Sequence, residues 1–265
     1  MINRLKEVKI MLHTMKLTKN PFEKIKNKTK TIELRLYDEK RQKVKVGDFI
    51  EFSLIDNPKE KIQTKVIGLH RFDSFKELYA TLPKEKLGYK ENEIPDPESM
   101  NKYYSSEKQV EYGVLGIEIK LTDLQKFIDA QDYGYGFSET YETALSEMKK
   151  GIKTSHWIWY VFPQIHGLGI SETTAYFSIK NLEEAIDYYN HPVLNSRLIE
   201  ITSELLNIKT NDPMVVFGHI DAYKIRSCMT LFKRAVPDND LFQRVLDKFY
   251  QGSEDYNTLK IIDSD

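Results

Sequence analysis

Two stretches of this sequence gather side chains whose types and spacing could do chemistry. The first runs from Lys28 through Lys30-Thr31-Ile32-Glu33-Leu34-Arg35 to Tyr37. Apolar and polar residues alternate strictly here, so a strand would turn Ile32, Leu34 and Leu36 to one face and Thr31, Glu33, Arg35 and Tyr37 to the other. A hydroxyl, a carboxylate, a guanidinium and a phenol then stand in one row, with Lys30 immediately before it. Lys28, Lys30 and Arg35 suit a phosphate, and Glu33 suits the amino group of a base.

The second stretch is Ser155-His156-Trp157-Ile158-Trp159 through Phe162-Pro163-Gln164 to Gly167-Leu168-Gly169-Ile170-Ser171, and it holds both tryptophans of the chain. Aromatic side chains of this size bury on the order of 150–250 Å² each, so the segment belongs in or beside a core. His156, Gln164 and Ser171 put polar groups next to that aromatic wall, the usual make-up of a small-molecule pocket. His156 carries an imidazole and is the candidate acid–base group of the segment. The same residues also suit a core helix, and the sequence leaves both readings open. Gly167 and Gly169 mimic a phosphate loop. A dinucleotide fingerprint, however, needs a third glycine where Glu172 stands, and a nucleophile elbow needs glycine where Thr173 stands. What survives is a turn followed by a helix capped by Ser171 and running towards Lys180, whose free N–H groups could receive an anion.

The elements that must position these groups change character along the chain. Val8 to Leu17 reads as a strand, and Asn20-Pro21-Phe22-Glu23 as a capped helix start. Strands follow at Thr31–Tyr37, Phe49–Leu54, Thr64–Leu69 and Tyr112–Lys120, with a helix at Ser74–Leu82 and a polar loop with at most a short helix over residues 88–109. Beyond residue 122 the period becomes helical. Ser138 reads as the cap of a helix burying Tyr141, Ala144, Leu145 and Met148. Asn181 caps another that turns Leu182, Ala185, Ile186 and Tyr189 inward, and Pro192 opens a third. Ala222, Ile225, Met229 and Phe232 form an apolar stripe. The polar side of that helix carries Asp221, Lys224, Ser227 and Thr230, and Lys224 and Ser227 could line the aromatic pocket. The fold class is therefore α+β: residues 1–122 a small β-barrel domain with short helices, residues 123–265 an all-α multihelical domain.

Composition narrows the function classes. Hydrophobic residues make up 40% and charged residues 30% of the 265, as in a soluble globular chain. No apolar run approaches the roughly 20 residues needed to cross a bilayer. The opening Met1-Ile2-Asn3-Arg4-Leu5-Lys6 has no signal-peptide apolar region, and a single cysteine, Cys228, suits a reducing compartment. These features point to the cytoplasm and away from a membrane partner. The histidines are scattered, so neither a metal nor a cofactor is expected. Charge is asymmetric: residues 1–122 hold 25 Lys and Arg against 19 Asp and Glu, and the remainder holds 14 against 21. A basic first half invites a polyanion such as RNA.

Lys30-Thr31-Ile32-Glu33-Leu34-Arg35, Val46-Gly47-Asp48-Phe49-Ile50-Glu51-Phe52 and Tyr112-Gly113-Val114-Leu115-Gly116-Ile117-Glu118, in this order and spacing, resemble the ASCH family. The resemblance spans roughly residues 11–120. It implies a PUA-like barrel associated with RNA and modified nucleosides. Some ASCH members hydrolyse acylated cytidine with a lysine, a threonine and a distant glutamate. Lys30 takes the place of that lysine, Glu33 stands where the threonine would be, and Glu77 is the one match for the distant carboxylate. Thr31 lies on the same face as Glu33 at a shifted position, so the resemblance implies Lys30, Thr31 and Glu33 as candidate reacting groups, a threonine nucleophile needing a neighbouring base. The second half, over roughly residues 125–262, is similar to the bacterial helical family called domain of unknown function 1810. The residues that carry this likeness are the 155–171 stretch, His191-Pro192-Val193-Leu194, Phe217-Gly218 and Ser227-Cys228-Met229-Thr230-Leu231-Phe232. That resemblance implies a multihelical fold and no particular activity. Three functions follow: binding of RNA or a nucleoside, hydrolysis of a modified nucleoside, or service as a protein-interaction adaptor.

Overall fold

A computed structural model describes residues 9–264, which form two compact units meeting between Gln125 and Lys126. The first unit follows the order β1 (Leu12–Leu17), α1 (Lys19–Lys26), β2 (Ile32–Leu36), β3 (Phe49–Leu54), β4 (Lys61–Phe72), α2 (Phe75–Thr81), α3 (Ser106–Tyr112) and β5 (Val114–Thr122). Val8, where the first alternation begins, lies outside the described residues.

The five strands form one sheet in the order β1-β3-β4-β5-β2, curled into a half-barrel. β1 runs parallel to β3, and the other neighbours pair antiparallel. A register shift between Val66 and Gly68 in β4 adds to the curl, since an extra residue in one strand bends the sheet there. β1 and β2 end the sheet, so the seam between them has no ladder. Inside the curl, Met15, Leu17, Ile50, Phe52, Val66, Leu115 and Ile117 pack with Phe22 and Ile25 of α1. On the other side, Ile32, Leu34, Leu36 and Val114 pack with Phe75 and Leu78 of α2 and with Leu87. The alternation in β2 thus sorts its residues as its periodicity requires.

Several local expectations shift. Thr18, not Asn20, is the N-cap of α1, and its side chain makes no capping bond. β4 is twice as long as Thr64–Leu69, because both of its neighbours pair along it and hold polar residues in the ladder. Gln63 and Thr64 are buried there, with Thr64 donating to the carbonyl of Ile50. The stretch 88–109 holds more helix than the one short helix expected there. It contains a 3-10 helix at Pro97–Lys102 and most of α3. These are stitched by buried Gln109, which accepts from Phe75 N and donates to Asn101 and to the carbonyl of Tyr104. Polar stitching of this kind leaves no apolar period to read. Tyr112 accordingly ends a helix, and the strand starts at Val114.

The second unit is helical: α4 (Gln125–Tyr133), α5 (Tyr141–Lys150), α6 (Ile158–Val161), α7 (Glu172–Tyr176), α8 (Leu182–Asn190), α9 (Pro192–Asn207), α10 (Pro213–Ala235), α11 (Leu241–Tyr250) and α12 (Tyr256–Ile262). Its core includes Tyr188, Leu198, Ile201, Phe232, Phe242 and Val245. Thr140 caps α5 in place of Ser138, because Ser138 and Glu139 are tied into a turn through Tyr135 O and His156 O. α7 is capped by Ser171 but stops at Tyr176, where the chain leaves the helix to bridge Ile179 to Ile165. In α8, Tyr188 is fully buried and Tyr189 only partly. α10 is broken at Gly218, whose φ of 73° and ψ of 171° interrupt the helix. Among the described residues, no helix is long and apolar enough to cross a membrane.

Candidate functional site

The unpaired seam of the half-barrel holds a cavity of about 360 Å³. Lys16 and Leu17 of β1 line it from one side, and Glu33, Leu34 and Arg35 of β2 from the other. Lys30 and Glu33 are buried at 7% and 5% exposure and form the floor. One Glu33 oxygen lies 3.5 Å from Lys30 Nζ and the other 3.0 Å from an Arg35 terminal nitrogen. Arg35 also donates to the carbonyl of Lys16 at 3.0 Å, so one side chain spans the seam that backbone bonds leave open. Burial lowers the pKa of Lys30, against the pull of Glu33. At Arg35 burial also works against the charge, but Glu33 and Tyr104 outweigh it and raise the pKa.

Tyrosines form much of the remaining wall. Tyr79, Tyr89, Tyr103 and Tyr104 all line the cavity. Tyr79 and Tyr89 touch through their hydroxyls at 3.3 Å, and burial pushes the Tyr79 phenol well above its ordinary value. Tyr104 stacks on Phe75, and the Lys24 ammonium lies 5.5 Å from the Tyr89 ring centre. The tight turn at Gly88, with φ of 91°, lets the chain before Tyr89 press onto Lys24 and Lys30. A Cβ at Gly88 would come within 3.1 Å of both side chains.

The sequence row therefore divides. Lys30, Glu33 and Arg35 meet in one cavity. Thr31 does not line it; its N–H, like that of Ile32, is bonded to the carbonyl of Lys86. Lys28 is exposed in a left-handed turn with φ of 61°. Glu77 is exposed in the first turn of α2, where it accepts from Asp73 N, and lies outside the lining. Sequence reasoning missed the tyrosines together with Lys16, Lys24 and Lys102. The aromatic clustering of 79, 89, 103 and 104 between two strands was the available signal.

In the helical unit, Trp157 and Trp159 part company. Trp157 is fully buried, and its indole N–H donates to Glu147 at 2.8 Å. The same carboxylate accepts from Thr154 N and Oγ1 and from Ser155 N. Trp157 is thus a core residue tied to an internal carboxylate, not a face open to a ligand. Trp159 is half-buried. The His156 ring stacks on it with centroids 6.4 Å apart, and Lys224 Nζ lies 4.9 Å from its centre. Lys224 and Lys153 share Asp221 at 2.8 and 2.7 Å. Burial acts to raise the Asp221 pKa, and the two lysines overcome it, leaving the carboxyl lowered. Ser227 is buried against Thr258, 2.6 Å away, and serves the core rather than a pocket wall. Gln164 offers its carbonyl to Ile179 N, Gly167 adopts φ of 97°, and Gly169 packs against Thr174. Of the second stretch, His156, Trp159 and Lys224 come together. Among the described residues, no three His, Cys, Asp or Glu side chains gather as a metal site.

Glu147 carries a pH prediction. Burial alone would raise its pKa, but the bonds from Thr154, Trp157 and Ser155 prevail and hold it down to about 2, against an ordinary 4.5. A depressed folded pKa adds stability above the unfolded value and loses it as pH falls through the folded one. Urea midpoints of the wild type should therefore drop between pH 4.5 and 2, by on the order of 2 kcal/mol in stability. Glu147→Gln should lack this component. Parallel pH profiles for the two proteins would remove the assignment.

Comparison with known proteins places these units. The family described as protein of unknown function (DUF1810) matches residues 121–262, and the ASCH domain matches residues 15–123. No curated protein matches the chain. Among solved structures, the conserved hypothetical protein Rv1873 from Mycobacterium tuberculosis is 37% identical. The match covers 53% of this chain and 96% of that one, with a TM-score of 0.50. The hypothetical protein PH0355 is 32% identical over 43% of this chain and all of its own, with a TM-score of 0.36. Protein PF0455 from Pyrococcus furiosus is 34% identical over 42% of this chain and 97% of its own, with a TM-score of 0.33. The chain belongs to the DUF1810 family, and carries an ASCH domain ahead of its DUF1810 region.

Proposed function

We propose that the ASCH domain binds a single nucleotide unit, free or at an accessible position of an RNA strand, in the seam between β1 and β2. The observation that carries this reading is the lining of the cavity: four tyrosines and five cationic side chains surround one carboxylate. A base has a π-face that tyrosine can stack on, at about 1–3 kcal/mol per base, and a phosphate needs cations. A cavity of this size takes one nucleoside rather than a helix groove. The ASCH match supports RNA as the polymer from which the unit comes.

Hydrolysis with Thr31 as nucleophile is the weaker reading, because Thr31 does not line the cavity that would hold the substrate. In the helical unit, half-buried Trp159 with His156 and Lys224 beside it is the aromatic group of the 155–171 stretch that a nucleotide could reach, and it supports a second, nucleotide-like contact over a purely adaptor role.

The test is a salt series. Lys16 and Lys102 are exposed at the cavity and Lys24 half-exposed. Affinity for an RNA oligonucleotide should fall as salt rises. Lys16→Ala with Lys102→Ala should weaken binding and flatten the log–log slope by about one for each phosphate no longer neutralised. Lys28→Ala, outside the cavity, should change it little. Equal effects of Lys28 and the cavity lysines would mean that RNA meets a diffuse basic face and not this site.

A further inference from the structure

Resting on the nucleotide reading above, we infer that the seam cavity recognises a phosphomonoester: the phosphate of a mononucleotide, or of a phosphorylated RNA end, seats on the floor against Arg35 and Lys30 while the base lies among the tyrosines.

The floor is unbalanced in charge. Two cations, Lys30 and Arg35, share the single carboxylate of Glu33 in a buried setting. Each Glu33 oxygen already faces one of these cations, so the carboxylate is held within the floor and donors outnumber it there. The excess of donors favours a ligand group that only accepts. Arg35 adds a specific donor: its terminal nitrogen reaches Glu33 and the Lys16 carbonyl, but its Nε is buried without a hydrogen-bond partner. An unpaired buried donor on a charged group is costly, and an anionic oxygen is its strongest acceptor. Lys24, Lys16 and Lys102 line the same cavity. With them the lining holds five cations against one carboxylate, more than one internal phosphodiester would neutralise. A terminal phosphate carries close to two negative charges and three acceptor oxygens near neutral pH. It answers the cationic lining as a whole more fully than a singly charged phosphodiester does, it supplies only acceptors to the floor, and a chain end can enter the pocket without the strand having to pass through it.

The experiment compares ligands that differ only in that group. Titration calorimetry is run on the full chain with the four ribonucleosides, their 5′-monophosphates and inorganic phosphate. A hexauridylate with and without a 5′-phosphate distinguishes a free mononucleotide from an RNA end. At least one monophosphate should bind about 10- to 100-fold more tightly than its nucleoside, the range of charge-assisted hydrogen bonds. Arg35→Lys, which keeps the charge and removes Nε, should erase most of that ratio. Its folding is verified by a thermal melt, and Lys30→Gln serves as a second floor variant should Arg35→Lys not fold. Equal affinity for nucleoside and monophosphate would overturn the phosphate inference and leave the nucleotide reading standing. Inorganic phosphate binding as tightly as every mononucleotide, or no binding of any probe, would overturn both.

Discussion

Trp157→Ala should destabilise the helical unit by about 3–5 kcal/mol, whereas Trp159→Ala should cost much less. The two indoles stand two positions apart, yet one is wholly enclosed and the other half-exposed. Trp157 packs against Phe162 with ring centroids 6.2 Å apart and supplies an N–H to Glu147. Its removal opens a cavity and takes away one of the donors that stabilise the buried carboxylate, so both losses act together. Trp159 contributes mainly the faces used by His156 and Lys224. Chemical denaturation followed by circular dichroism separates the two cases. Similar losses for both variants would show that the open face of Trp159 is structural too. If Trp159→Ala melts like wild type but loses a nucleotide-induced shift seen with the full chain, the helical unit has a ligand contact of its own.

Glu33→Ala should produce the largest effect in the ASCH domain. Taking away one partner of a buried ion pair leaves its opposite charge uncompensated, at a typical cost of about 3–5 kcal/mol. Here two cations would be left facing each other across the floor. Lys30→Met in the same chain should recover part of the loss, because burial already disfavours the Lys30 charge. A thermal melt of the single and double variants checks this. A double variant no more stable than Glu33→Ala would show that the two cations do not interact through the floor.

The division into a strand-bearing half and a helical half was readable because period-two alternation recurs up to about residue 120 and the pattern beyond it is helical throughout. Lys30, Glu33 and Arg35 could be found for a related reason: alternation in a short strand is local, and Ile32, Leu34 and Leu36 fix which way their neighbours point. The rest of the cavity could not be found this way. Tyr79 sits on α2, Tyr89 follows a glycine turn, and Tyr103 and Tyr104 follow a 3-10 helix held by Gln109. Their convergence depends on tertiary packing, to which no sequence period corresponds. Thr31 shows the reverse case, since it shares the alternating row with Glu33 and Arg35 but does not share their cavity. The Lys86 carbonyl holds its backbone at the start of the strand, and the side chain stays out of the lining. In the tryptophan stretch, composition could not separate wall from core, because a buried indole with a hydrogen-bonded N–H and a stacking indole require the same residue. Glu147, a carboxylate on a charged helix, carried no mark of its burial.

That the β1–β2 seam is a nucleotide site is tested most directly by mapping the position of a bound nucleotide on the protein. The deuterated, ¹⁵N-labelled 265-residue chain is titrated with each ribonucleoside 5′-monophosphate, and amide and arginine side-chain resonances are followed. The largest shifts should fall on Lys16, Lys30, Arg35, Tyr89 and Tyr104, with the Arg35 Nε–H signal moving as it gains an acceptor. Shifts confined to residues beyond 126, or spread evenly over exposed lysines such as Lys28 with the Arg35 signal unmoved, would contradict a nucleotide site in the seam.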